Sequence, residues 1–140
     1  MKNKTKSKKY LVAGGAGFIG SNLVDELIRL KYQVIALDNL STGRPENVNP
    51  KARFYEIDIN DVKVGSIFEK ERPNYVYHFA FNTNVPKGVE DPLFDAQSII
   101  GSLNIINEAA KIGTVKKIIF PSSGFLYGNS APQPTTEDYP

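Results

Sequence analysis

Tyr10-Leu11-Val12-Ala13-Gly14-Gly15-Ala16-Gly17-Phe18-Ile19-Gly20 is the stretch on which the fold turns. It opens with a short apolar run, too short for a helix and right for a buried strand. A glycine-rich turn follows. Leu23, Val24, Leu27, Ile28 and Leu30 then recur at helical spacing. The order is strand, tight turn, helix. Gly15, Gly17 and Gly20 fit G-x-G-x-x-G, and Gly14, Gly17 and Gly20 fit G-x-x-G-x-x-G. Without a Cβ, glycine lets the backbone turn sharply and approach a ligand closely. The unpaired N–H groups that begin the helix suit a pyrophosphate, and the helix dipole favours its charge.

A glycine pattern alone is weak, and its surroundings decide the reading. Gln33 to Asp38 is a second apolar strand that ends in an acid. Asp38 lies 18 positions after Gly20, close to the spacing of a carboxylate that binds the ribose hydroxyls of NAD. The pattern predicts a dinucleotide-binding βαβ unit with NAD as its cofactor. A structural turn with a loop acid is the bland alternative.

The chain has 140 residues, 41% hydrophobic and 23% charged, which suits one globular domain. It has no cysteine, so disulfides, thiolate catalysis and cysteine zinc sites are excluded, and the expected compartment is the reducing cytoplasm. No apolar run reaches the length that spans a bilayer, so no membrane partner is expected. Lys2, Lys4, Lys6, Lys8 and Lys9 form a basic tail over residues 1–9. Removing those five charges from the net +2 leaves −3, so the remaining body gives no reason to expect nucleic acid. The tail reads as solvated and disordered.

Past Asp38, residues 39–45 read as a loop lying where the adenosine half of a dinucleotide would sit. A third strand is predicted over 53–57 and a weak helix over 61–70, closed by Pro73 and Asn74. Residues 75–80 read as a fourth strand and 81–91 as a loop. Asp91-Pro92 is a strong helix start, and the helix should run to about Lys111 with Gly113 past its end. One apolar stripe runs through Ala96, Ile99, Ile100, Leu103, Ile106 and Ala110. A second holds Ile105, Ala109 and Ile112, so burial on two sides is expected. A fifth strand is predicted over 117–122, and 123–140 reads as loop. Alternating strands and helices give an α/β, Rossmann-type, doubly wound parallel sheet of order 3-2-1-4-5. Its ligand should lie at the C-terminal ends of strands 1 and 4.

The motifs Gly14-Gly-Ala-Gly-Phe-Ile-Gly20, Asp38-Asn-Leu-Ser-Thr-Gly43, Asp58-Ile59, His78-Phe-Ala80 and Ser122-Ser-Gly-Phe-Leu-Tyr-Gly128 occur in one characteristic order. In this the chain resembles the extended short-chain dehydrogenase/reductase family. It looks most like the UDP-glucose 4-epimerases and related NAD-dependent sugar-nucleotide epimerases and dehydratases. The resemblance implies that Gly14, Gly17, Phe18, Ile19 and Gly20 hold the pyrophosphate region. It places Asp38 on the adenosine ribose, with Asn39, Ser41, Thr42 and Gly43 beside it. Asp58 would contact adenine through its side chain, and Ile59 by packing and backbone. Phe79, Ala80 and Phe81 would lie along the cofactor. Ser123 matches the family's catalytic Ser/Thr; the alternative is a serine that caps a turn. His78, the only histidine, matches a structural strand position, and no metal site is expected.

Enzymes of this family use a tyrosine acid/base with a lysine four residues later. The fourth residues after Tyr10, Tyr32, Tyr55, Tyr75, Tyr77 and Tyr127 are Gly14, Ala36, Ile59, Phe79, Phe81 and Ala131, and Tyr139 has none. The chain therefore reads as the NAD-binding part, 10–140, of a nucleotide-sugar epimerase, stopping before its catalytic helix. The implied partners are a UDP-sugar and a second copy, paired through the 91–111 helix. An NAD-binding regulatory module without catalysis, and a structural subunit with a relic turn, remain the competing readings.

Overall fold

A computed structural model describes residues 8–139. The basic tail falls outside those residues as far as position 7. Lys8 is exposed, and Lys9 already belongs to the first strand.

Five parallel strands form one sheet: β1 (Lys9–Ala13), β2 (Gln33–Asp38), β3 (Arg53–Glu56), β4 (Tyr75–His78) and β5 (Lys117–Ile119), in the order β3-β2-β1-β4-β5. This is the predicted order. Leu11 pairs with Ile35 on one side and Val76 on the other, which places β1 at the centre. The period-two pleat then sorts the core into two faces. Leu11, Ala13, Ile35, Leu37 and Val76 pack against α2 (Val64–Glu71) and α4 (Pro92–Ile112), through Val64, Ile67, Phe68, Ile105 and Ala109. Tyr10, Val12, Val34 and Ala36 pack under α1 (Phe18–Arg29), through Val24 and Leu27. Each large aliphatic side chain among them contributes about 1.5–3 kcal/mol on burial.

The helix ends follow local chemistry. Lys31, at φ 64°, turns the chain out of α1. Arg72, at φ 48°, closes α2 ahead of Pro73. The Asp91 carboxylate accepts the Leu93 N–H to cap α4, and Gly113 ends it in the left-handed region at φ 63°. Residues 85–90, read as loop, form a short helix α3 (Val85–Glu90). The Asn84 side chain accepts the Lys87 N–H, and that Asx cap with Pro86 in the first turn starts it.

One expectation is corrected. Helix α4 is buried along only one of its two apolar stripes. Ile105 and Ala109 face the core, while Ile99, Ile100, Leu103 and Ile106 are 64%, 59%, 61% and 44% exposed. The described residues pack one layer on that side, and it covers a single face of the helix.

At the opposite end of the sheet from the glycine turn, Glu71 is fully buried. Its carboxylate accepts the Tyr55 hydroxyl at 2.7 Å and the Arg53 guanidinium at 2.7 Å, tying α2 to β3. Burial pushes this carboxyl up, but the Tyr55 hydroxyl and Arg53 outweigh that and hold it below the ordinary range. The clip is therefore intact above that range and lost on acidification through the lowered pKa.

The glycines of the turn differ in what they are for. Gly14 sits at φ +81°, and a Cβ there would meet the Phe79 carbonyl carbon at 2.7 Å. At Gly20 a Cβ would overlap the Gly14 carbonyl oxygen. At Gly17 the nearest atom is the Gly14 oxygen at 3.4 Å, an ordinary contact. We expect Gly20→Ala to cost about 3 kcal/mol or more, and Gly17→Ala to stay within about 1 kcal/mol of wild type. Urea unfolding of the two variants without ligand checks the difference; equal losses would contradict it.

Candidate functional site

The site lies where the strand order reverses, at the C-terminal ends of β1 and β4. Gly14 and Gly15 both donate to the Leu37 carbonyl, at 2.8 and 3.1 Å, so the turn is pinned to β2. The Gly17 N–H donates back to the Gly14 oxygen at 3.2 Å, and α1 begins at Phe18. No side chain caps this helix, and its first turn holds no acid. Its leading N–H dipoles are left for a ligand. Phe18 and Ile19 are 84% and 60% exposed, so these two positions offer backbone groups and an apolar rim.

Asp38, at the end of β2, is 8% exposed. Its carboxylate accepts the Ala16 N–H at 2.9 Å and the Leu40 N–H at 2.8 Å. It thus bridges the glycine turn and the loop behind it. Each carboxylate oxygen has a further lone pair for a hydroxyl donor. Gly43 lies directly over it: a Cβ there would meet Asp38 Oδ1 at 2.8 Å and the Ala16 Cβ at 2.9 Å. Leu40 is held left-handed at φ 58°. Ser41 and Thr42 are exposed on the same loop.

Asn39 donates from Nδ2 to Asp58 at 2.6 Å, and Asn60 donates twice to the other carboxylate oxygen at 2.8 Å. Burial pushes the Asp58 carboxyl up, but these amide donors prevail and leave it below the ordinary range. Ile59 turns inward. Its side chain is 8% exposed and packs against Gly101, and its carbonyl accepts the Asn104 amide at 2.7 Å. Only its backbone N–H and a narrow edge remain for a base.

Phe79, Ala80 and Phe81 follow β4 and are half-buried. The Phe79 N–H donates to the Ala13 carbonyl at 2.8 Å, which brings this loop against the glycine turn. The Phe81 ring lies 4.7 Å from both the His78 and the Phe120 rings. His78 itself is fully buried, and burial pushes its imidazole down to about 4. Its Nε2 lies 2.9 Å from Ser102 Oγ, whose own proton goes to the Ser98 carbonyl at 2.6 Å. The Ser98 hydroxyl oxygen in turn accepts the Asn82 N–H at 3.0 Å.

Ser123 stands apart from that cluster, exposed at the head of a short 3-10 turn over 124–127. Its oxygen accepts the Phe125 N–H at 3.3 Å, the turn-capping contact. A cavity of about 380 Å³ opens beside it, lined by Phe125, Tyr127, Gly128 and Asn129 among others. Among the described residues, no group of three or more histidine or acidic side chains could hold a metal. No helix among them is long and apolar enough to cross a membrane.

Two participants were not legible in the sequence. Ala16 supplies both the N–H that orients Asp38 and the carbonyl that receives Arg44 N–H and Asn47 Nδ2, at 3.2 and 3.1 Å. Asn47 has no motif signal, because its partner is a backbone atom brought close only by the fold.

The residues suit a dinucleotide on one structural ground. Gly17 is a glycine whose Cβ would make only an ordinary 3.4 Å contact with the Gly14 oxygen, at the mouth of an uncapped helix, beside a buried carboxylate with spare lone pairs. The family model for the NAD dependent epimerase/dehydratase family matches residues 10–140. The UDP-glucose 4-epimerase of Mycolicibacterium smegmatis is 39% identical over 139 residues, covering 94% of this chain and 44% of that protein. Among solved structures, the UDP-glucose 4-epimerase of Thermotoga maritima with UDP-glucose superposes with a TM-score of 0.83 at 46% identity, over 89% of this chain and 41% of that one. The Thermus thermophilus UDP-glucose 4-epimerase in complex with NAD gives 0.86 at 38% identity, over 94% and 43%. The chain thus spans less than half the length of these relatives. With a parallel sheet of the expected order and a family match that begins at β1 and continues through the last residue, the chain belongs to the NAD dependent epimerase/dehydratase family.

Proposed function

We propose that this chain is the NAD-binding part of a nucleotide-sugar epimerase acting on UDP-glucose or a similar UDP-sugar. The observation that carries the reading is Gly17, whose missing Cβ serves no packing need inside the protein. The N–H groups that begin α1 would face the pyrophosphate, and Gly14 and Gly20 hold them at the end of β1. Asp38 would accept the adenosine ribose hydroxyls while Ala16 and Leu40 keep its carboxylate oriented. Asn39, Ser41, Thr42 and Gly43 would flank that ribose, with Asp58 and the Ile59 backbone at the adenine. Phe79, Ala80 and Phe81 would wall the other half. When bound, NAD supplies reversible hydride acceptance at the sugar C4. Ser123 would offer its hydroxyl proton to the reacting sugar oxygen, since the Phe125 N–H engages only a lone pair of Oγ.

The competing reading, an NAD-binding module without chemistry, draws support from the missing tyrosine–lysine pair only for a protein made of these 140 residues alone. None of the seven tyrosines is followed four positions later by a lysine. A serine hydroxyl has no basicity of its own at neutral pH. We therefore expect the 140-residue chain to give no turnover with UDP-glucose or UDP-galactose. Turnover that scales with its concentration and disappears in Ser123→Ala would overturn that account.

Asp38 should also select the cofactor. A 2′-phosphate would meet a buried carboxylate at close range, so NAD should bind at least about tenfold more tightly than NADP. Gly17→Val should keep the fold and lose NAD affinity by about tenfold or more. Calorimetric titration of both cofactors and of the variant decides these points. Equal NADP affinity, or undiminished NAD binding by Gly17→Val, would remove the support for the reading.

The same reading bears on assembly. The stripe Ile99, Ile100, Leu103 and Ile106 is contiguous apolar surface on α4. Such surface generally finds a partner, most often by two-fold pairing. Sedimentation of the 140-residue chain should show self-association that Leu103→Glu weakens; a monomer at high concentration would contradict the proposed pairing.

A further inference from the structure

His78 is the one fully buried titratable side chain at this end of the sheet that the proposed chemistry leaves without a role. It ends β4, directly before the Phe79–Phe81 segment, and Val76 places its face toward α4. Its neighbours there make a directed chain. The Ser102 hydroxyl has one proton, and that proton is committed to the Ser98 carbonyl at 2.6 Å. Toward His78, Ser102 Oγ can therefore only accept. The 2.9 Å contact is then an N–H donated by His78 Nε2, and the neutral ring carries its proton on Nε2. Nδ1 is left bare, buried and without a hydrogen-bond partner, with the Phe81 and Phe120 rings beside the imidazole. An unpaired buried acceptor is costly, so a packing role alone would be served better by an apolar residue.

What the chain of contacts does achieve is placement. Ser102 and Ser98 are one helical turn apart on α4, and the Ser98 hydroxyl accepts the Asn82 N–H at 3.0 Å. The Asn82 side chain also donates to the Phe94 carbonyl. The segment from Phe79 to Asn82 is thus fastened to α4 at both ends, by His78 and by Asn82. It lies on the β4 side of the glycine turn, opposite the β2 side that bears Asp38. A dinucleotide that crosses the switch point with its adenosine half on Asp38 brings its second half over this segment.

We propose that His78, held in the Nε2–H form by Ser102, is a positioning residue for the nicotinamide half of the site. Together with Ser98 and Asn82 it fixes the Phe79–Phe81 wall. The proposal rests on the NAD reading above, and ligands that report each half separately can test it. ADP-ribose carries the adenosine, pyrophosphate and second ribose but lacks nicotinamide. In the untagged 140-residue chain, His78→Leu should weaken NAD by about fivefold or more while ADP-ribose stays within about twofold. His78→Gln, whose amide keeps a donor for Ser102, should restore NAD to within about twofold of wild type. Ser98→Ala, which leaves His78 untouched, should show the same split between the two ligands. If the His78 variants do not fold, Ser98→Ala carries the comparison. Since the chain has a single histidine, its ring nitrogens can be read without assignment. Nitrogen-15 spectra of the wild type should show a protonated Nε2 and a bare Nδ1, unchanged between about pH 5 and pH 8. Parallel losses of NAD and ADP-ribose, no loss in any variant, failure of His78→Gln to rescue, or a proton on Nδ1 would each overturn the positioning role. A wild-type chain that binds neither ligand would overturn the NAD reading itself, and this proposal with it.

Discussion

The approach of α1 to the end of β1, where the Gly20 backbone lies against the Gly14 carbonyl, is the constraint from which the rest of the site follows. A Cβ at Gly20 would run into the carbonyl oxygen, so the helix can start this close only with glycine. The same closeness puts the start of α1 over the C-terminal edge of the sheet. It also forces Gly14 to a positive φ and brings it against the Phe79–Ala80 peptide. Three elements therefore meet at one point: β1, α1 and the segment after β4. Asp38 reaches the same point from β2 through the Ala16 N–H. The geometry that a pyrophosphate needs is set by backbone packing, with no side chain spent on capping the helix.

Strand positions and their order were legible because each carries a local signal. Val34 to Leu37 is an apolar run that ends in Asp38, and it forms a strand over the expected bounds. Asp91-Pro92 and Gly113 bracket α4 by chemistry that acts within one turn. What was not legible depends on distant partners. β5 stops at Ile119, short of the expected Ser122, where its pairing with β4 ends at Tyr77. The short helix over 85–90 had an Asn cap and a proline in a window too brief to show a period. Ser123 was read by motif, and no local pattern could reveal whether its oxygen caps a turn or faces a cavity. It borders both.

The second apolar stripe of α4 shows where the period of a sequence loses its meaning. Apolar spacing says that a face seeks cover; it does not say which layer supplies it. Ile105 and Ala109 find theirs in α2 and the sheet. Ile99, Ile100, Leu103 and Ile106 find none among the described residues. Burying four such side chains would contribute several kcal/mol. That is a sizeable share of the net stability of a small domain, and it gives the stripe a driving force toward association.

The two halves of the site are built by different physics. On the β2 side, a buried carboxylate is oriented by main-chain N–H groups of the turn and the loop, and Gly43 lies over it. The left-handed Leu40 is stabilised by the N–H it gives to Asp38, which offsets a backbone cost of about 1–3 kcal/mol. Main-chain donors of this kind cannot rotate away, so the Asp38 carboxylate is oriented by the fold itself. On the β4 side, the wall is aromatic, and it is fastened by two hydroxyl oxygens of α4, Ser102 Oγ against His78 Nε2 and Ser98 Oγ accepting the Asn82 N–H. Side-chain contacts of that kind have rotamers to lose and are the softer constraint. Changes in the Ser102–Ser98 pair would therefore be felt at Phe79 to Phe81 while leaving Asp38 in place.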